Sequence, residues 1–119
     1  MPSDLQVLQN VRQLAQVFVP NTNAMSLISK TTKRKVVVTS INVVNTSSAA
    51  QTFSIYLDKD GTTYSNATAL LFNQALAANT AVLLEWQSGL PIDPQAAGNL
   101  AFSASNANVL TVTINGLEL

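Results

Sequence analysis

Cysteine and histidine are both absent from the 119-residue sequence. That excludes disulfides, zinc and iron–sulfur ligation through those side chains, thiol nucleophiles, and every mechanism that needs an imidazole base. Charge is scarce as well: 6 basic and 6 acidic residues leave a net charge of zero, so no overall field points to nucleic acid or an anionic membrane. The 4 glycines, Gly61, Gly89, Gly98 and Gly116, are too scattered to form a phosphate-cradling loop. No apolar run exceeds four residues, far short of the about 20 that a bilayer-spanning helix requires. The opening Met1-Pro2-Ser3-Asp4 lacks the basic start and apolar segment of a secretory leader. Neither a G-x-S-x-G elbow nor an S-x-x-K pair occurs, so no serine has a base to activate it. These absences together argue against an enzyme and against a resident cofactor.

What is there is one domain's worth of chain, rich in uncharged polar groups. Ser, Thr, Asn and Gln number 43, and hydrophobic residues make up 47%. Soluble monomers ordinarily carry about a quarter charged residues, whereas charged residues are 10% here. A neutral, weakly charged surface promotes association. The composition therefore fits a permanent oligomer or a part of a larger particle.

From residue 34 onward the chain reads as consecutive short strands. The segment 36–44, VVVTSINVV, is β-branched almost throughout, and Asn45-Thr46-Ser47-Ser48 is a turn cluster. In 51–57 the alternation places Phe53, Ile55 and Leu57 on a core face. These two strands across a short polar turn read as an antiparallel hairpin. Further strands are expected at 69–72, at 81–86 with Val82, Leu84 and Trp86 on one face, at 99–104, and at 109–114. A short one is expected over 25–29. Residues 88–94, with Gly89, Pro91 and Pro94, read as a loop, because prolines and glycine disrupt a sheet ladder. Strands every 10 to 15 residues with no helical pattern between them indicate an all-β antiparallel sandwich.

Residues 1–20 differ, and we separate them as an N-terminal arm from a sandwich domain spanning 21–119. Leu5, Leu8, Val11, Ala15 and Phe18 are spaced as on one helical stripe, so a short helix over 4–15 is one reading. The other is an extended segment over 13–19 that Pro20 ends. Either way the apolar stripe needs a surface to lie on.

Few constellations carry chemistry. Asp58 and Asp60 are the only acids close in sequence, and they share a turn, Asp58-Lys59-Asp60-Gly61, where both stay solvated. That turn matches the D-x-D-G opening of a calcium loop, but the acid that would complete the ligand set does not follow; the next is Glu85. Lys30, Lys33, Arg34 and Lys35 gather four of the six basic groups, which reads as a solvated loop or a contact with an acidic protein surface. No aromatic residue interleaves them, so nucleic acid is not expected. Tyr56, out of phase with Phe53 and Ile55, and Tyr64, in a loop, are candidates for an exposed aromatic platform, whereas Trp86 reads as core.

The stretches "KVVVTSINVVNTSSAAQTFSIYLDKDGTTYSNATALLF", "QALAANTAVLLE" and the closing "TVTINGLEL" resemble a group of small virion proteins of tailed bacteriophages. The resemblance covers about residues 22–119, and its motifs are short and built of common strand-forming residues. It implies a β-sandwich of jelly-roll type, typically trimeric, located in the virion. The implied role is a capsid decoration or cement protein that bridges major capsid subunits. A tail or fibre part with an adhesive or carbohydrate-binding role is the alternative. The partners implied are further copies of the chain and the major capsid protein or another virion protein. Residues 1–20 have no counterpart in the pattern. We therefore expect the partner contacts at Leu5, Leu8, Val11 and Phe18 of the arm, and at Lys33, Arg34 and Lys35.

Overall fold

The β-branched run that starts at Val36 forms a strand through the middle of one sheet, and seven other strands assemble around it. The computed structural model describes residues 11–28, 35–59, 61–92 and 98–118. The strands are β1 (Arg12–Phe18), β2 (Met25–Ile28), β3 (Val36–Asn45), β4 (Gln51–Asp58), β5 (Ala69–Leu76), β6 (Ala81–Ile92), β7 (Asn99–Ala104) and β8 (Leu110–Glu118). One sheet, A, has the order β1-β8-β3-β6, and the other, B, has the order β2-β7-β4-β5; all pairings are antiparallel. First pairs with eighth, second with seventh, third with sixth and fourth with fifth. The chain is thus one long hairpin rolled up on itself, which is the double Greek key of a jelly roll.

The inner faces meet in a dry core. Phe53 and Phe102 from sheet B stack with ring centroids 5.5 Å apart, and Ile41, Val43, Val112 and Ile114 from sheet A are buried against that sheet. Stacked rings add about 0.5–1.5 kcal/mol to the burial of their area. Val19 closes one end: it is fully buried, its amide donates to the Leu110 carbonyl at 2.9 Å, and its carbonyl accepts from Asn108.

Sheet A carries a line of irregularities at one level. Register shifts occur between Gln13 and Ala15, where β1 meets β8, and between Val38 and Ser40, where β3 meets both β8 and β6. On β6 the residues from Trp86 to Gly89 lie opposite Thr39 alone. Each bulge inserts backbone into one strand and sharpens the local twist, so together they crease the sheet. They also switch which residues of β3 face inward, from Val36 and Val38 to Ile41 and Val43.

Four sequence expectations change. Residues 12–18 form strand β1 of sheet A, so the extended reading holds there and the expected helix over 4–15 does not include residues 12–15; its part within residues 1–10 lies outside the described set. β3 and β4 are not a hairpin, because they belong to different sheets and the turn at 45–51 carries the chain between them. The expected loop at 88–94 is strand as far as Ile92, and residues 93–97 lie outside the described set. Proline is accepted at position 91 because β6 is an edge strand, with no partner on its second side among the described residues. Glycine at 89 sits in the bulge at φ 76°. There, a methyl would run into Val37 Cγ1. Gly89→Ala should therefore lower stability by about 1–2 kcal/mol, read as a shift in the denaturant midpoint at unchanged slope. Finally, β5 and β8 run longer than expected, to Leu76 and Glu118.

Candidate functional site

Two surfaces stand out, one on the outer side of each sheet. On sheet A the outward residues form rows across the strands. One row is Phe18, Thr111, Val44 and Ala81; the next is Gln16, Thr113, Asn42 and Leu83; a third is Gln13, Asn115, Ser40 and Glu85. Amides and hydroxyls pair across it: Gln16 Nε2 donates to Thr113 Oγ1 at 2.8 Å, and Asn115 Nδ2 to Ser40 Oγ at 3.4 Å. Glu85 is the one charged side chain in these three rows. Phe18 and Leu83 stand out of the polar ladder, 48% and 55% exposed. They are three strand spacings, about 14 Å, apart across the sheet and one row apart along it. Burying each would gain about 1–2 kcal/mol, so the face is suited to contact with another neutral surface.

Of the expected contact residues, Phe18 lies on this face, and Val11 is half-buried just before β1. Lys35 is exposed at the start of β3. Leu5, Leu8, Lys33 and Arg34 lie outside the described residues. Arg12 forms an ion pair with Glu118 at 2.8 Å, tying β1 to the end of β8; such exposed pairs are worth little. Leu83 was not singled out from sequence, although its alternation against Val82 and Leu84 carried the signal.

Asp58 of the acidic turn is not solvated as expected, and Asp60 lies outside the described residues. Asp58 is buried, and its Oδ2 accepts from the Thr63 amide at 2.8 Å. Asn99, paired with Asp58 across β4 and β7, donates through Nδ2 to the Gly61 carbonyl. Among the described residues no three acidic side chains gather in a metal-binding group.

The aromatic platform does not form. Tyr56 is only 7% exposed, because the segment after β4 folds back over the outer side of sheet B and brings Tyr64 against it, with ring centroids 6.1 Å apart. Leu57 amide to Thr68 carbonyl, 2.9 Å, and Thr68 Oγ1 to Thr63 carbonyl, 2.7 Å, hold that segment in place. Trp86 packs against the core from sheet A, as its alternation indicates.

A recess lies beside Tyr56 on the same side of sheet B. Its floor is Thr52, Ser54 and Tyr56 of β4 with Ser103 of β7, and Phe72 and Thr22 flank it. The sequence hides it, since Phe72 reaches it only through a bulge. Phe53 pairs with Gln74 and Ile55 with Leu71, which leaves Phe72 and Asn73 opposite Ser54. Asn73 takes φ 50°, and its amide donates to Ser54 Oγ at 2.9 Å.

No protein-family model and no curated protein sequence matches the chain. Among solved structures, it is similar over 88% of its length to a chain in the structure of infectious bursal disease virus, Gx strain, at 12% identity and TM-score 0.45. It is similar over 91% of its length to a chain in the crystal structure of the T13 particle of infectious bursal disease virus, at 13% identity and TM-score 0.45. The present chain spans 30% and 31% of those chains, about a third of either.

Proposed function

We propose that this protein is a non-enzymatic structural component of a virion. Within that reading it is a capsid decoration or cement protein that acts as a homo-oligomer, a trimer being the form implied by the phage resemblance. The observation that carries the reading is the outer face of sheet A. It is a rigid, almost uncharged surface with Phe18 and Leu83 exposed on a jelly-roll body, in a chain with 12 charged residues. Jelly rolls serve many functions, virus shells among them, so the surface rather than the fold bears the weight. The mechanism is mechanical: a stiff body bridging neighbouring shell subunits adds buried area at their joints, and repeated equivalent contacts multiply weak ones by avidity.

Residues 12–18 belong to sheet A, so removing residues 1–18 would strip an edge strand from the fold rather than only an arm. The discriminating variant keeps β1 and changes its outer side chains. Light scattering on the purified chain should give three times the 12.6 kDa chain mass at low and high salt alike. Phe18→Asp with Leu83→Asp should lower that mass and abolish cosedimentation with isolated capsids, with the circular dichroism unchanged. A monomer at all concentrations would overturn the trimer. Undiminished capsid binding by the double variant would overturn the role of this face.

A further inference from the structure

We infer that the recess on the outer side of sheet B is a binding site for a neutral saccharide. It encloses about 330 Å³, at the lower end of the about 300–1,000 Å³ of small-molecule sites. No Asp, Glu, Lys or Arg lines it. A phosphate, a carboxylate or a metal ion would find no opposite charge there, which excludes the commonest charged ligands on chemical grounds.

What the recess offers is hydroxyl groups in known states of pairing. Ser105 Oγ is committed: it donates to Gln51 Oε1 at 2.9 Å and accepts from the Thr52 amide at 3.0 Å. Ser54 Oγ accepts from the Asn73 amide at 2.9 Å, which aims its own proton and remaining lone pair elsewhere. Among the described residues, nothing pairs with the hydroxyls of Thr22, Thr52 and Ser103. Each of these groups both donates and accepts, as the vicinal hydroxyls of a sugar do. A ligand with only donors or only acceptors would use half of this capacity.

The second element is Phe72. Its ring is 51% exposed, a position that leaves an aromatic side chain in water at the edge of a polar recess. The bulge at Asn73 holds it there, and that bulge is anchored to the recess itself through the Ser54 hydroxyl. An aromatic wall beside free hydroxyls suits a molecule with a C–H face and a hydroxylated rim, which is the construction of a pyranose ring. This ligand reading stands apart from the placement in a virion, because it rests on sheet B and is tested on the isolated chain.

The test is amide chemical-shift mapping of the whole chain by NMR with glucose, galactose, N-acetylglucosamine and lactose. Each is added at about 10 mM, enough to half-fill a site whose Kd is of that size. Glucose 6-phosphate and a neutral tripeptide serve as the charged and non-sugar comparisons. At least one neutral sugar should shift the Ser54, Asn73 and Ser103 amides. Phe72→Ala should weaken that sugar's binding at least tenfold and Thr52→Ala severalfold, with the rest of the spectrum unchanged. Both positions are at the surface, so the fold survives in either variant. Silence of those amides toward all four sugars would overturn the inference. So would tighter binding of the phosphate or the peptide, or undiminished sugar binding by Phe72→Ala.

Discussion

Asn45→Ala should lower the unfolding free energy by about 3 kcal/mol, among the larger effects of a single substitution. At this chain length that is a loss of about 12 °C in Tm. Asn45 is fully buried at the end of β3, where the chain leaves sheet A for sheet B. Its Nδ2 donates to the carbonyls of Ala49 at 2.9 Å, Leu76 at 3.1 Å and Ala77 at 3.1 Å. Its Oδ1 accepts from the Ser47 amide at 3.0 Å and the Ser47 hydroxyl at 2.7 Å. One side chain thus satisfies both its own turn and the turn between β5 and β6. Alanine takes the side-chain donor from the buried Leu76 carbonyl and leaves those of Ala49 and Ala77 only the Ser47 and Thr80 hydroxyls, and an unmade buried hydrogen bond costs more than a made one gains. Asn45→Asp should be at least as damaging, since it keeps the acceptor for Ser47 but turns an unprotonated oxygen toward three carbonyls. Thermal unfolding followed by circular dichroism checks both. A change below about 1 kcal/mol in Asn45→Ala would show that the junction holds without it.

Gly116→Ala should be comparably severe, at about 3 kcal/mol or more. Gly116 lies in β8, between β1 and β3, at the crease of sheet A. A methyl there would overlap the Val37 carbonyl oxygen and come within 2.9 Å of Val38 Cα and 3.0 Å of Leu14 Cδ1. Two of those three neighbours are backbone in a paired strand, so neither rotates away. The contrast with Gly89 is informative. Gly89, on the edge strand β6, combines a positive φ with a clash against the Val37 side chain; Gly116 meets main chain inside the sheet. Denaturant midpoints measured side by side should rank Gly116→Ala below Gly89→Ala and both below the parent. Equal midpoints for Gly116→Ala and the parent would mean that the sheet is not creased as described.

Alternation made most of the sandwich legible. β4 and β7 follow it closely, with Phe53, Ile55, Leu100 and Phe102 all buried, and β3 and β8 are recognisable from their β-branched content. Three of the features that escaped sequence reading lie at bulges, and for one reason. An inserted residue breaks the period of two, and the resulting spacing imitates something else. On β1 the bulge at Leu14 puts Leu14, Ala15 and Val17 on the core side, which hides the period of two, while Val11, Ala15 and Phe18 keep a helix-like spacing although Phe18 faces outward. On β6 the bulge with Gly89 followed by Pro91 looks like a loop. On β5 the bulge at Asn73 sends Phe72 outward beside the recess. Tyr56 failed differently: alternation assigned it to the outer side of its sheet, which is right, but only the return of the segment bearing Tyr64 shows that this side is covered. Of the residues expected to touch a partner, Phe18 was chosen from a helical stripe, and it stands exposed on the outer side of a strand instead.

The strand order also fixes when this protein can finish folding. β8 lies between β1 and β3, and Arg12 finds its strand partner, Gly116, and its ionic partner, Glu118, at the far end of the chain. A ribosome delivers β8 last of the eight strands, so β1, made first, waits through almost the whole of synthesis with nothing to pair against. Sheet B waits in the same way, because β7 separates β2 from β4. β4 can pair with β5, and β3 with β6, before then, but neither sheet is whole until β7 and β8 arrive; closing such distant pairs gives a high contact order, with folding on the millisecond-to-second scale typical of all-β sandwiches. During that interval the valine-rich β3 is in water with only a few charges along the chain to keep copies apart. The same scarcity of charge that underlies the assembly role proposed above makes the nascent chain the vulnerable stage of its life.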